Sequence, residues 1–292
     1  MIPETNITAW SITAPWAEPR QIEQDLIISR ALVEIFNHDL LSAELRIRGG
    51  TALNKIIFPE PLRYSEDIDL VRTTAGPIGP VLDAMREVLE PWLGQANYAA
   101  SPVAPKLRFR VPAEDDPEAK LRLKVEINIA EIEPFDPPVS IPYTVENPWF
   151  TGRTTIASFS PEELLATKLR ALLQRDKGRD LFDLDYALDA LLDLNLDRVV
   201  ELFVRYLGQQ GQAISRAEAE QRMLEKFARP DLLGDIRALL TPDRADDLDA
   251  AAGRAAFLRV FTNVIALIPG DRWARTDELA ETMGLTEIIE LN

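Results

Sequence analysis

Arg63-Tyr64-Ser65-Glu66-Asp67-Ile68-Asp69-Leu70-Val71 reads as a short strand that carries two carboxylates on one face. Side chains alternate along a strand, so Asp67 and Asp69 point one way while Ile68 and Leu70 point the other, into a core. Two acids so spaced near a strand end are a ready site for a divalent cation. Upstream stands Arg48-Gly49-Gly50-Thr51-Ala52-Leu53-Asn54-Lys55. Its glycines allow close backbone approach to a ligand, and a helix opening there presents unpaired N–H groups to a phosphate. Neither motif is specific alone: Asp-x-Asp is more commonly a solvated strand face, and Gly-Gly before a helix is equally often a plain turn. One short helix apart, the two together point to a nucleoside triphosphate.

Working outward, Leu45–Arg48 is a predicted strand ending at the glycines, and residues 51–58 a short helix ended by Pro59 and Pro61. Apolar residues recur at helical spacing from Ile22 to Phe36, whereas residues 1–20 read as irregular. A further helix follows Pro77 and Pro80 and runs to about Leu93. Strands are expected at Lys106–Val111 and, with the clearest alternation in the chain, at Lys120–Ile129. The polar face of the latter holds Lys120, Arg122, Lys124, Glu126 and Asn128. A solvated edge strand gives that pattern too, but a carboxylate following three basic residues on one face is what a third metal ligand requires. Glu126 is therefore the candidate third acid. Should its strand neighbour that of Asp67 and Asp69, three carboxylates converge and repel one another unless a cation sits among them. Residues 130–150 hold five prolines and little periodicity, which predicts a loop or linker leading out of a catalytic domain of residues 1–150.

Residues 151–292 read as a helical domain. Ser160-Pro161-Glu162-Glu163 has the form of a helix start. In the helix that follows, Leu164, Leu165, Leu169 and Leu172 make an apolar stripe, and at about 100° per residue Lys168 falls inside it. An inward lysine either snorkels or meets an anion. Arg175 lies at the stripe's edge. Asp180 and Asp183, three apart on the next helix, share a face, although Asp180 would also suit a purely structural place in a first helical turn. Further helices are expected near 197–207, 216–228, 247–267 and 276–283, with no chemistry evident in them.

The motifs Gly49-Gly50-Thr51-Ala52-Leu53, Arg63-x-Ser65-Glu66-Asp67-Ile68-Asp69, and Lys168 followed by Arg179-Asp180-x-x-Asp183 closely resemble those of the AbiEii/MenT-like nucleotidyltransferases. These are toxins of bacterial type IV toxin–antitoxin and abortive-infection systems. The resemblance runs from about Arg46 to about Leu188. It departs in one place, with Thr51 where the wider superfamily usually has serine. It implies an α+β, polymerase-beta-like nucleotidyltransferase domain, a mixed sheet with helices, followed by a mostly helical C-terminal domain. It implies transfer of a nucleotide from a nucleoside triphosphate, with the triphosphate on Gly49, Gly50 and Thr51, near Arg63 and Ser65. Mg²⁺ or Mn²⁺ is expected on Asp67, Asp69 and Glu126. Lys168, Arg175 and Arg179 would serve the phosphates, and Asp180 and Asp183 would orient them or touch the acceptor. The implied acceptor is the 3′ end of tRNA, and the implied protein partner a cognate antitoxin. Two other readings stand beside this one: the same chemistry on a protein or small molecule, and a non-catalytic interaction module that keeps only the fold.

Composition sets the outer bounds. The chain has 292 residues, is 46% hydrophobic and contains no cysteine, so disulfides and thiolate metal sites are excluded. Its one histidine, His38, rules out a histidine-rich zinc site. No signal-like start and no stretch approaching 18 apolar residues is apparent, so the expectation is a cytoplasmic protein without a membrane span. The net charge of −16 argues against broad binding of long nucleic acid, while leaving room for a local basic patch or a basic protein partner.

Overall fold

The computed structural model describes residues 2–229, 232 and 234–291. The chain forms two compact units, Met1–Ser160 and Pro161–Asn292. The first contains α1 (Glu4–Trp10), α2 (Pro19–Asn37), α3 (Asp39–Glu44), β1 (Leu45–Arg48), α4 (Gly49–Ala52, continued by a π-helical turn Leu53–Ile57), β2 (Asp67–Arg72), α5 (Gly79–Leu93), β3 (Asn97–Ala99), β4 (Lys106–Pro112), β5 (Lys120–Asn128), β6 (Val139–Asn147) and β7 (Phe150–Ser158). The strands form one mixed sheet in the order β3-β4-β5-β2-β1-β7-β6. β2 runs parallel to β5 and β1 parallel to β7, and the other pairs are antiparallel.

Alternation gives this sheet two unlike faces. Leu45, Ile47, Ile68, Leu70, Leu107, Phe109, Val125 and Ile127 are each at most 1% exposed. α2 packs on β5, β6 and β7, and α5 on β4. Asp67, Asp69, Lys124 and Glu126 alternate with those apolar residues and stand on the opposite face.

Two parts of this unit differ from expectation. Residues 1–20 contain helix α1, and Trp10 and Trp16 donate their indole N–H groups to Asp25 at 2.8 and 3.0 Å. Lys55, on the π-helical turn, meets the same carboxylate at 2.7 Å. A helix of seven residues is too short for periodicity to reveal, and its purpose is visible only in the indoles that complete this buried network. The second difference is β6, where 130–150 reads as a proline-rich loop, and β7, which lies almost wholly in the stretch expected to open the helical domain. Val139, Ile141, Tyr143 and Val145 do alternate, but Pro142 interrupts the run. β6 lies at the sheet edge, where a strand tolerates proline because its missing N–H faces no neighbour. The unit consequently extends to Ser160 rather than residue 150.

The second unit is helical: α6 (Pro161–Gln174), α7 (Gly178–Ala190), α8 (Leu196–Gln209), α9 (Arg216–Phe227), α10 (Pro242–Asp247), α11 (Ala250–Asn263) and α12 (Thr276–Thr282). Ser215 and Glu218 form a reciprocal capping box at the start of α9. Ala250–Leu267 is, by length and composition, apolar enough to cross a membrane. In the fold it breaks at Asn263, buries Phe257 and Phe261, and pairs Arg259 with Asp185 at 2.8 Å.

Candidate active site

β1 delivers the chain to Gly49, whose φ of +79° lies in the region glycine favours. A Cβ there would stand 2.5 Å from Asp69 Oδ2, so the turn needs glycine for its conformation and for its approach to the carboxylate. At Gly50 a Cβ would stand 2.7 Å from the Arg63 guanidinium and 3.1 Å from Ser65 Oγ. Arg63 is only 2% exposed and donates to the Tyr64 carbonyl. It therefore supports the turn from beneath. The Thr51 hydroxyl, buried, donates to the Asp67 carbonyl and lies 2.8 Å from Ser65 Oγ. Threonine in place of serine thus ties the glycine turn to the acidic strand. Asn54 completes the join, its Oδ1 accepting from the backbone N–H groups of Leu62 and Arg63.

On the open face of the sheet, β2 and β5 pair with Asp67 opposite Lys124 and Asp69 opposite Glu126. Arg48 of β1 is opposite Asp69. Partners across a ladder share a face, so the three carboxylates singled out in the sequence lie on one face of the sheet, although among the described residues they do not converge as the sequence led one to expect. Among them lies a cation that sequence reading did not single out. Lys124 Nζ is 2.9 Å from Asp67 Oδ2 and 3.3 Å from Glu126 Oε2, and Lys106 Nζ is 3.1 Å from the same Glu126 oxygen. The alternation of β5 had already put Lys124 on this face; its pairing with β2 supplied the partner. Arg48 is held by Glu131 at 2.8 Å.

The electrostatics separate Asp69 from Glu126. Burial pushes the Asp69 carboxyl above the usual aspartate range, Asp67 and Glu126 push the same way, and Lys124 and Arg48 oppose them. Glu126 behaves oppositely: burial works against its charge, but Lys106 and Lys124 outweigh it and hold its pKa below normal. Burial likewise disfavours the Lys124 ammonium, yet Asp67, Asp69 and Glu126 raise its pKa.

Among the described residues no three His, Cys, Asp or Glu side chains converge as a ready-made metal cage. The donor chemistry nevertheless suits a hard divalent cation, with three carboxylates on one face and an ammonium resting against two of them. That ammonium marks the position at which positive charge is favoured.

In the helical unit, Lys168 is 6% exposed. It does not snorkel, for its Nζ is 3.1 Å from Asp180 Oδ1 and 2.8 Å from Asp183 Oδ2, and both acids are fully buried. Arg175 clasps Asp180 with two N–H groups at 2.7 and 2.8 Å. Burial disfavours the Asp180 carboxylate, but Lys168 and Arg175 prevail and its pKa lies below normal. Arg179 is half-buried and makes no ion pair with the described residues.

The sequence matches the family described as "Nucleotidyl transferase AbiEii toxin, Type IV TA system" over residues 30–254. The chain belongs to this family. It is thus a nucleotidyltransferase toxin of the type IV toxin–antitoxin class, which implies a nucleoside triphosphate substrate and an antitoxin partner. The fold of this AbiEii-family chain is shared with MenT4, the nucleotidyltransferase toxin Rv2826c from Mycobacterium tuberculosis H37Rv, at a TM-score of 0.67, 17% identity, and coverage of 98% of this chain and 99% of that one. JHP933 from Helicobacter pylori aligns at a TM-score of 0.48 and 16% identity over 94% of this chain and 99% of its own. No curated protein matches the sequence.

Proposed function

We propose that this toxin transfers a nucleoside monophosphate from a nucleoside triphosphate to the 3′ end of tRNA, in the cytoplasm and with Mg²⁺ or Mn²⁺, and so blocks translation. The observation that carries the reading is the shared face of Asp67, Asp69 and Glu126 on adjacent parallel strands, beside a glycine turn built on Asp69. The acceptor hydroxyl forms a bond to the α-phosphorus, the bond from that phosphorus to the β-phosphate bridging oxygen breaks, and pyrophosphate leaves. The hydroxyl proton passes to a carboxylate of this face. Asp67, Asp69 and Glu126 would hold the metal, which supplies positive charge to the phosphates and lowers the pKa of the hydroxyl.

The chain's own groups have distinct tasks in this scheme. Gly49, Gly50 and Thr51 present backbone to the triphosphate, with Ser65 beside them and Arg63 as the prop under Gly50. Lys124 neutralises the acids between turnovers. Asp180 and Asp183 hold Lys168 in place and Asp180 also holds Arg175, so that Arg179 is the cation of this motif without an ion pair among the described residues. The test is incubation of the protein with each labelled nucleoside triphosphate, Mg²⁺ and total RNA, with Asp67→Asn as control. Label on the 3′ end of tRNA, lost in the variant, is the expected result. Label entering protein instead would replace RNA as the acceptor.

A further inference from the structure

The face that carries the carboxylates continues across β5 and β4 as a ladder of positive charge. Arg108 stands opposite Lys124, Arg110 opposite Arg122, and Pro112 opposite Lys120. Arg108, Arg110 and Arg122 are exposed, and none makes an ion pair with the described residues. Like charges directly opposite on neighbouring strands destabilise a sheet. An antiparallel pair that sets arginine against arginine, in a chain of net charge −16, keeps an arrangement that folding alone disfavours. Rungs on one face recur about every 6.7 Å, so the three rungs span roughly 13 Å. It ends at the acidic turn of Glu114, Asp115, Asp116 and Glu118, and its other end is the Lys124–Asp67 contact itself.

We propose that this ladder is a docking track for the phosphodiester backbone of a single-stranded RNA end. The planar guanidinium forks of Arg108, Arg110 and Arg122 match phosphate oxygens two at a time, and Lys120 and Lys124 add point charges at the two ends. The track leads straight to Asp67, so a strand lying along it presents its terminal ribose hydroxyl at the carboxylates. That last point rests on the nucleotidyl-transfer reading of the face; the binding itself does not. The acidic turn limits the footprint to a few phosphates, which reconciles a nucleic-acid site with a strongly acidic chain.

The experiment uses the full chain and a 5′-fluorescein-labelled single-stranded 12-nucleotide RNA. Binding is followed by anisotropy from low to physiological salt, for the parent and for Arg108→Gln/Arg110→Gln/Arg122→Gln. Each lost phosphate contact should flatten the log–log salt dependence by about 0.7, so the triple variant should lose about 2 from the slope and roughly tenfold or more in affinity at low salt. Its melting temperature should not fall, since the substitutions remove like-charge opposition. Its melting shift with Mg²⁺ and nucleoside triphosphate should match the parent's. An unchanged slope and affinity would overturn the track. So would displacement of the RNA by poly-glutamate of equal charge at equal concentration, which would assign the face to an acidic protein. Loss of RNA binding in the variant, in a protein whose parent shows no Mg²⁺–nucleotide shift, would support the track while sinking the catalytic reading.

Discussion

Lys124 and Lys168 each meet two carboxylates, the first on the open face of the sheet and the second inside the helical unit. The Lys124 side chain is 29% exposed and its acids 31% and 24%; Lys168 is 7% exposed and its acids not at all. Water can replace the partners of the first group, so its cation is exchangeable. Nothing can replace the partners of the second without leaving a buried charge uncompensated, which makes it a permanent lock. The same residue types thus build a solvent-open cluster in one place and a buried one in the other.

The largest effect is expected where the lock is broken. Lys168→Ala leaves Asp180 and Asp183 buried without their ammonium and should cost about 3–5 kcal/mol, read by chemical denaturation. A loss under 1 kcal/mol would show the triad to be as exchangeable as the sheet site. Loss of toxicity in this variant is to be interpreted only alongside that measurement.

Next comes Asp67→Asn, which should cut nucleotide transfer by roughly 10²–10³-fold while melting changes little. Near-parental turnover would remove Asp67 from the chemistry.

Asp180 and Asp69 should also respond to pH with opposite sign. Asp180 has a depressed pKa, so the stability it lends is present above the ordinary aspartate value of about 3.9 and is lost as pH falls through its folded value. Asp69 has a raised pKa, so metal-free stability should decline as pH rises from about 3.9 through its folded value. Asp69→Asn should abolish that decline and raise the metal-free melting temperature at neutral pH. A melting curve against pH with the decline intact in Asp69→Asn would place the strained carboxyl elsewhere.

The smallest effect belongs to Glu126→Gln. Its carboxylate is partly exposed and already satisfied by Lys106 and Lys124, so metal-free stability should drop by about 0–1 kcal/mol. A gain would mean that repulsion among the three acids outweighs those pairs. Crowded carboxylates in the sequence suggest such a gain; the two lysines in the structure reverse it.

Much of the site was legible before any coordinates. Strict alternation in Lys120–Asn128 placed Glu126 and Lys124 on one face, and Asp67 and Asp69 were paired by the same period. Helical spacing put Lys168 inward and Asp180 and Asp183 on one side. These are local facts, because backbone geometry fixes the direction of each side chain within an element. Edge strand β6 and helix α1 were missed because each carries a local signal too weak or too interrupted to stand out, and each is stabilised by partners distant in sequence.

What the sequence by itself determined is which groups share a face, and hence the two acidic motifs, the inward lysine and the alternation of charge on β4 and β5. Only the tertiary structure decided which faces meet. The parallel pairing of β2 with β5 set Lys124 against Asp67 and Glu126 opposite Asp69, and the folding of α7 onto α6 turned an inward lysine into a buried triad. Alternation and helical period act over a few residues, whereas register and burial depend on contacts between segments far apart in the chain, and it is those contacts that fix the charge state and accessibility of each acid.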